Sequence, residues 1–441
     1  MMARTIPTIL LVLMLAGAAR PSSAATPATP AARLETLAEV ARLLRTEYVR
    51  DSVGAACASA LEAAAAAGRF RAPEGDAAFA RAVTEWLREC ARDEHLELTP
   101  PPVEQTSAAA TAAPVRDWVA DLRARNFDVP QVRRLAGNVG YLELTSFPPP
   151  DIAGETVAHA MGLLENTDAL IVDLRRNSGG AGDMVRFLAT WFFDQPTAIL
   201  STYRRTDGRA TEDRTLPWVP GRRRARTPLF ILTSRGTFSA AEAFAFGLQQ
   251  LKRAVVVGER TRGGANAGRY RDAKNGFREF IPVANGRSPV NGRTWDGVGV
   301  MPDVPVSAES ALAVAHEAAL AALVDSISGD SARARSLRWT LEGARAMRNR
   351  LATPSATCAT LVGAYEGERR VECRAGRLWY SRDGAPERPL QPIGGGRYIL
   401  DGVESSLFRF EGEGRARTVT VISAEGGENR FGLLTGTKSP R

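Results

Sequence analysis

Histidine and lysine are nearly missing from this 441-residue chain: the histidines are His95, His159 and His316, and the lysines are Lys252, Lys274 and Lys438. So few imidazoles leave few candidate general bases, and none has a second histidine or a cysteine beside it as a metal centre would require. No metal and no cofactor are expected. Cysteine is also scarce, with four residues and no CxxC spacing, which excludes a CxxC redox or zinc motif. Long apolar runs are absent beyond the first 25 residues, so no stretch after them approaches the ~20 residues of a membrane span.

The chain does contain 44% apolar residues, enough for a sizeable core, and its length suggests about two or three domains. The opening, "MMARTIPTILLVLMLAGAARPSSAA", has a basic start at Arg4, an apolar stretch from Ile6 and small residues Ser22 and Ala24. That pattern predicts a signal peptide over 1–25 and export to a periplasmic or extracellular location, with no stable membrane insertion afterwards. Export admits disulfides. Proximity favours Cys57 with Cys90 and Cys358 with Cys373, free buried thiols being the alternative. The net charge is +8, or +6 without Arg4 and Arg20 of the signal, and arginine carries nearly all of it. The densest cluster, "GRRRAR" at 221–226, has no interleaved aromatics, so it is expected to be a solvated loop and not a nucleic-acid site.

Helical spacing of Leu34, Leu37, Val40, Ala41 and Leu44, and again of Phe79, Val83, Trp86 and Leu87, predicts an N-terminal helical module over 33–98. Three prolines and a Ser/Ala/Thr tract mark a linker over 99–137. From 138, "NVGYLEL", "DALIVDL", "PLFILTS" and "AVVVGE" read as buried strands separated by helices. This is the pattern of βαβ units around a mostly parallel sheet, spanning 138–325. After a charged helical stretch (331–352), short alternating segments parted by glycines predict a small antiparallel β domain over 355–441.

Two turns at strand ends can carry chemistry. "DLRRNSGGAGDM" places Gly179 and Gly180 where backbone amides can meet a ligand, or form a bare tight turn. "TSRGTFSAAE" places Ser239 at a helix N-terminus, with Glu242 at capping-box spacing. As a cap the serine is worth ~1 kcal/mol; as a nucleophile it would gain from the helix dipole and from the Ala240 amide. A nucleophile needs a base. His159 and His316 lie in apolar helical runs and read as core or flank residues, whereas His95, in the polar turn "RDEHLEL", can project toward another domain. Asp296 and Asp303 in "TWDGVGVMPDVPV" read either as turn residues or as the acid that orients a histidine.

The segments "NVGYLELTSF", "VDLRRNSGG", "TFSAAEAFAFGLQQLKRAVVVGERTRGGA" and "TWDGVGVMPDVPV" follow the order and spacing of the tail-specific, or carboxyl-terminal processing, serine peptidases (peptidase family S41). The chain resembles that family over about 135–325. The glycine loop "GERTRGGANAG" lacks the lysine of the processing-peptidase branch, and 96–137 is too short for a PDZ module, so a Ser/Lys dyad is not expected. "NFDVPQVRRLAGNVGYL" and "GERTRGGA" resemble the PDZ-less branch of the tricorn core and the interphotoreceptor retinoid-binding proteins. That resemblance implies a ClpP/crotonase-like core with Ser239 as nucleophile and His95 as base. It puts Asp296 where the family has glutamate, Gly179 or Gly180 with Ala240 at the oxyanion, and Glu242 in a structural role.

The expected function is therefore an exported serine peptidase acting on extended polypeptides. The alternative is a non-catalytic binder of apolar, retinoid- or lipid-like ligands on the same scaffold. The tricorn likeness makes the C-terminal β domain a candidate substrate gate.

Overall fold

Three helices open the structure, a computed structural model that describes residues 28–102, 118–206, 208–349 and 351–434. The expected signal segment lies outside these residues. The helices are α1 (Pro30–Thr46), capped by the Thr29 hydroxyl, α2 (Asp51–Ala66) and α3 (Gly75–Ala91). The expected apolar stripes point inward except at Leu34, which is exposed: Leu37, Val40, Ala41 and Leu44 meet Phe79, Val83 and Leu87 in one buried cluster, with Trp86 packed against it. A disulfide joins Cys57 to Cys90, tying α2 to α3, and the short strand β1 (Glu97–Thr99) follows.

The segment expected to be a linker is partly built into the fold. It supplies α4 (Trp118–Ala124) and an edge strand β2 (Gln131–Leu135), whose mostly exposed Gln131, Arg133 and Arg134 give no apolar signal. Next come β3 (Val139–Glu143), α5 (Pro150–Leu163), β4 (Ala169–Asp173), α6 (Gly182–Ala189), β5 (Ala198–Arg204), β6 (Ala210–Arg214), β7 (Leu229–Thr233), α7 (Ala240–Gln250) and β8 (Val255–Gly258). Two further strands, β9 (Asn266–Asp272) and β10 (Arg278–Arg287), precede β11 (Val304–Pro305), α8 (Ala308–Ser326) and α9 (Ala332–Arg348).

Six of these strands form a sheet in the order β11-β8-β7-β4-β3-β2, parallel except for the β2–β3 pair. Its central strands are buried on both faces because successive side chains alternate. Leu142, Leu170, Val172, Leu229 and Ile231 face α5, α6 and α7, while Tyr141, Ile171, Phe230 and Leu232 face α8 and α9. Ala311, Ala315 and Ala319, at four-residue spacing, let α8 lie close on the sheet.

A second, antiparallel sheet (β1-β10-β5-β6, with β9 on β10) connects the N-terminal module to this core. Strand β1 pairs with β10 from Glu97↔Phe280 to Thr99↔Arg278, and Phe277 packs edge-on against Phe79, 5.4 Å between centroids. The module is thereby docked through both hydrogen bonds and an apolar interface.

The C-terminal unit begins with α10 (Ser355–Leu361) and continues as eight antiparallel strands, from β12 (Gly363–Tyr365) and β13 (Arg369–Arg374) through to β19 (Glu428–Gly432). A bridge between Tyr365 and Leu433 brings the two ends together into a nearly closed barrel. A second disulfide, Cys358–Cys373, ties α10 to β13. The barrel seats on α9, where Arg335 Nε donates to the Ala424 carbonyl and Ser336 Oγ to that of Glu404, both at 2.7 Å.

The arginine cluster is not a solvated loop throughout. Arg222 is exposed, but Arg223 donates to the Phe193 and Pro217 carbonyls, and buried Arg224 donates to the carbonyls of Leu164 and Thr167. Burial lowers the Arg224 guanidinium to about 10. These side chains pin loop backbone at the edge of the core.

Candidate active site

The ends of β4 and β7, neighbours in the parallel sheet, hold the two turns singled out in the sequence. They are tied together: Thr237 Oγ1 donates to the Leu174 carbonyl (2.8 Å), Ser234 Oγ to that of Arg175 (2.5 Å), and the Phe238 amide to that of Asn177 (3.1 Å). The stitching brings Gly179 against Ser239. A Cβ at 179 would fall 2.8 Å from Ser239 Cβ and 3.1 Å from the Ala240 nitrogen. Gly179 and Gly180 both have positive φ, +106° and +139°, and a Cβ at 180 would overlap the Phe147 carbonyl. Glycine is required at both.

Ser239 itself sits at φ +54°, ψ −118°, a backbone conformation that costs a non-glycine residue ~1–3 kcal/mol and recurs at functional sites. Glu242 stabilises it. This fully buried carboxylate accepts the Ser239 amide (2.8 Å), the Gly263 amide (2.6 Å), the Gly264 amide (2.8 Å) and the Thr261 hydroxyl (2.5 Å). Burial pushes the Glu242 carboxyl up, and these four donors oppose the push. The sequence reading gave Glu242 a structural role; here it joins the serine turn to the glycine loop 261–264.

Among the described hydrogen bonds the Gly179 amide is already taken, by the Asn177 side-chain oxygen at 2.9 Å. Those of Gly180 and Ala240 are not engaged, Ala240 being the first residue of α7.

His95 arrives from the other side of the site. Helix α3 ends at Arg92 in a left-handed cap (φ +49°), and Asp93 then turns the chain by accepting the His95 amide at 3.0 Å. The same Asp93 oxygen receives His95 Nδ1 at 3.1 Å. The other oxygen accepts Tyr48 Oη and Asn266 Nδ2, each at 2.9 Å. Burial acts to raise Asp93, but the bonds from His95 and Asn266 outweigh it and hold the carboxyl below its ordinary value. The His95 ring stacks on Phe238, with centroids 4.5 Å apart and planes at 25°, and its Nε2 is buried with no hydrogen-bond partner. The base candidate therefore lies beside the residue preceding Ser239, with its second nitrogen uncommitted.

The carboxylate that touches His95 is thus Asp93, which the sequence reading missed. Asp296, expected in that place, has no described hydrogen bond to His95; its Oδ2 lies 3.8 Å from Arg50 Nε. Burial raises the Asp296 carboxyl and the nearby Asp93 charge adds to the rise, with Arg50 opposing. The signal for Asp93 was the D-x-H spacing directly after a helix, where one carboxylate can both make the turn and catch Nδ1. Asp303 is structural, bonding the Val256 amide at 2.8 Å. His316 Nε2 donates to the Ala136 carbonyl (2.9 Å), and His159 lies exposed on α5, so neither joins the site.

Residues 138–306 match the model of peptidase family S41. This segment belongs to that family. The chain also has curated relatives. Carboxyl-terminal-processing peptidase 2, chloroplastic, of Arabidopsis thaliana is 30% identical over 192 residues, 43% of this chain and 36% of that one. Carboxyl-terminal-processing protease of Synechocystis sp. is 30% identical over 175 residues, 38% of this chain and 37% of that one. The chain therefore spans little more than a third of these relatives. Among solved structures, the photosystem II D1 C-terminal processing protease is 26% identical over 39% of this chain and 43% of that one, with a TM-score of 0.32. The tricorn protease is 14% identical over 67% of this chain and 37% of that one, with a TM-score of 0.45.

Proposed function

We propose that the chain is an exported serine peptidase that cleaves peptide bonds of extended polypeptides, on a ClpP/crotonase-like S41 core. The observation that carries this reading is the Asp93–His95 pair, stacked on Phe238, the residue before a conformationally strained Ser239 at a helix N-terminus. His95 Nε2 takes the Ser239 hydroxyl proton as Oγ attacks the carbonyl carbon, while Asp93 holds the tautomer with Nδ1 protonated. The tetrahedral oxyanion is met by the Ala240 and Gly180 amides. The imidazolium then protonates the leaving amine, and water, activated by the same nitrogen, releases the acyl group from Ser239. Asp296, the acid implied by the family resemblance, serves as a second carboxylate across Arg50.

The two disulfides support an oxidising, exported setting. A cleft of about 490 Å³ opens one turn along α7 from Ser239; its lining is mixed, with apolar Val185, Leu200 and Val283 beside charged Arg186, Asp213 and Arg269, so it offers a substrate side chain both apolar contact and charge.

Turnover of an unstructured protein such as casein is the test. Wild type is expected to cleave it, and Ser239→Ala to lose at least about a thousandfold in kcat with unchanged thermal stability. No cleavage by wild type, with saturable binding of an apolar fluorescent probe, would favour the ligand-binding alternative.

A further inference from the structure

The bond from Nδ1 to Asp93 fixes one nitrogen of His95 but leaves the ring able to turn about that bond. Three contacts restrict the turn. Phe238 stacks on the imidazole at 4.5 Å and 25°, and the Arg262 guanidinium lies over the same Phe238 ring, 4.9 Å from its centroid. Arg262 Nη1 in turn pairs with Glu94 Oε2 at 3.1 Å, and Glu94 is the residue before His95. The contacts thus run from the imidazole through Phe238 and Arg262 back to the backbone that carries the imidazole. Gly264 abuts both rings, since a Cβ there would fall 2.3 Å from the Phe238 ring and 2.6 Å from His95 Cε1, and the Phe280 ring lies 6.5 Å from the imidazole at 29°.

We propose that Phe238 and Arg262 are positioning residues, a stacked platform that sets the plane of the His95 ring so that its free Nε2 faces Ser239. The proposal rests on the serine peptidase reading. An aromatic face under an imidazole restrains tilt without consuming a nitrogen, which a hydrogen bond could not do. A guanidinium over that face holds the ring itself in place. The Glu94–Arg262 pair is half-exposed and contributes alignment more than affinity. Neither Phe238 nor Arg262 touches the reacting atoms.

The test uses the full chain with histidine labelled for NMR at the imidazole Cε1–H, together with peptide kinetics. The His95 resonance is identified by its loss in His95→Gln. Phe238→Leu is expected to lower kcat about tenfold with KM within about twofold, and to shift the His95 proton downfield as ring-current shielding is lost. Phe238→Tyr is expected to recover most of both. Arg262→Gln, a substitution at the rim that does not depend on core packing, is expected to lower kcat about two- to fivefold. Undiminished kcat in Phe238→Leu, or an His95 resonance that does not move, overturns the proposal; so does a loss carried wholly by KM. A wild type that cleaves nothing sinks the peptidase reading itself, a result distinct from a loss confined to the variants.

Discussion

Burial acts on Asp93 and Asp296 alike, yet the two carboxyls are pushed in opposite directions, Asp93 below its ordinary value and Asp296 above. The difference lies in donors. Asp93 accepts two bonds at each oxygen, whereas Asp296 has Arg50 at 3.8 Å and weaker help from Asn266 and the Ala265 amide, and faces the Asp93 charge. A carboxylate kept ionised beside Nδ1 is the group that can stabilise an imidazolium. Asp93→Asn is therefore expected to lower kcat by about 10²–10⁴, the range for losing the orienting acid of a triad, and Asp296→Asn by less than about tenfold. Steady-state kinetics of the two variants checks the order; the reverse order would return the role to Asp296. Gly264→Ala is a second residue-scale test. Its methyl must displace the Phe238 ring or the imidazole, so kcat is expected to drop at least about tenfold while the fold survives. The place of Ser239 at a helix start was legible from its capping-box spacing with Glu242. Asp93 was not, because an acid two residues before a histidine reads as an ordinary turn former until Nδ1 is seen to share its oxygen.

At the scale of elements, two buried glutamates sit where segments far apart in sequence meet, one satisfied and one not. Glu242 links α7 to the 261–264 loop through four donors, so Glu242→Gln leaves amides facing a nitrogen donor and is expected to cost about 1–3 kcal/mol in denaturant unfolding. Glu279 lies in β10 opposite Leu98 of β1, fully buried, with neither oxygen hydrogen-bonded. Burial raises it well above its ordinary value, the Glu97 charge adds to this, and Arg88 opposes. The folded state thus holds this proton more tightly than the unfolded one. Its stabilising contribution is complete below the unfolded value of about 4.3 and is lost as pH rises toward the folded value. Glu279→Gln is expected to raise Tm at pH 7–8 and to flatten its pH dependence above pH 5. A thermal melt series from pH 4 to 8 reads this directly, and an unchanged slope would contradict it. Buried central strands such as "ALIVD" were legible as apolar runs. β6 and β2 were not: polar edge strands carry no periodic signal strong enough to set them apart from loops.

Across the whole molecule, the proposed base His95 and the proposed nucleophile Ser239 belong to different units, and the β1–β10 pairing with the Phe79–Phe277 contact holds those units together. The Cys57–Cys90 disulfide, five residues before His95, braces α3 from behind; reducing it is expected to remove about 2–4 kcal/mol and to lower turnover at elevated temperature. The barrel seats on α9, on the sheet face opposite α7, which disfavours the expected substrate gate. Gly343→Val tests that separation: a Cβ there would overlap Ile399 Cδ1, so the barrel is expected to lift from α9 with kcat within about threefold of wild type. The most direct test of the account is fluorophosphonate labelling, with the adduct located by peptide mass spectrometry and its rate followed in wild type and His95→Gln. The account predicts a single adduct on the Ser239 peptide, formed at least about a hundredfold more slowly in the folded His95→Gln variant. An adduct elsewhere, or equal rates in the two proteins, would contradict it.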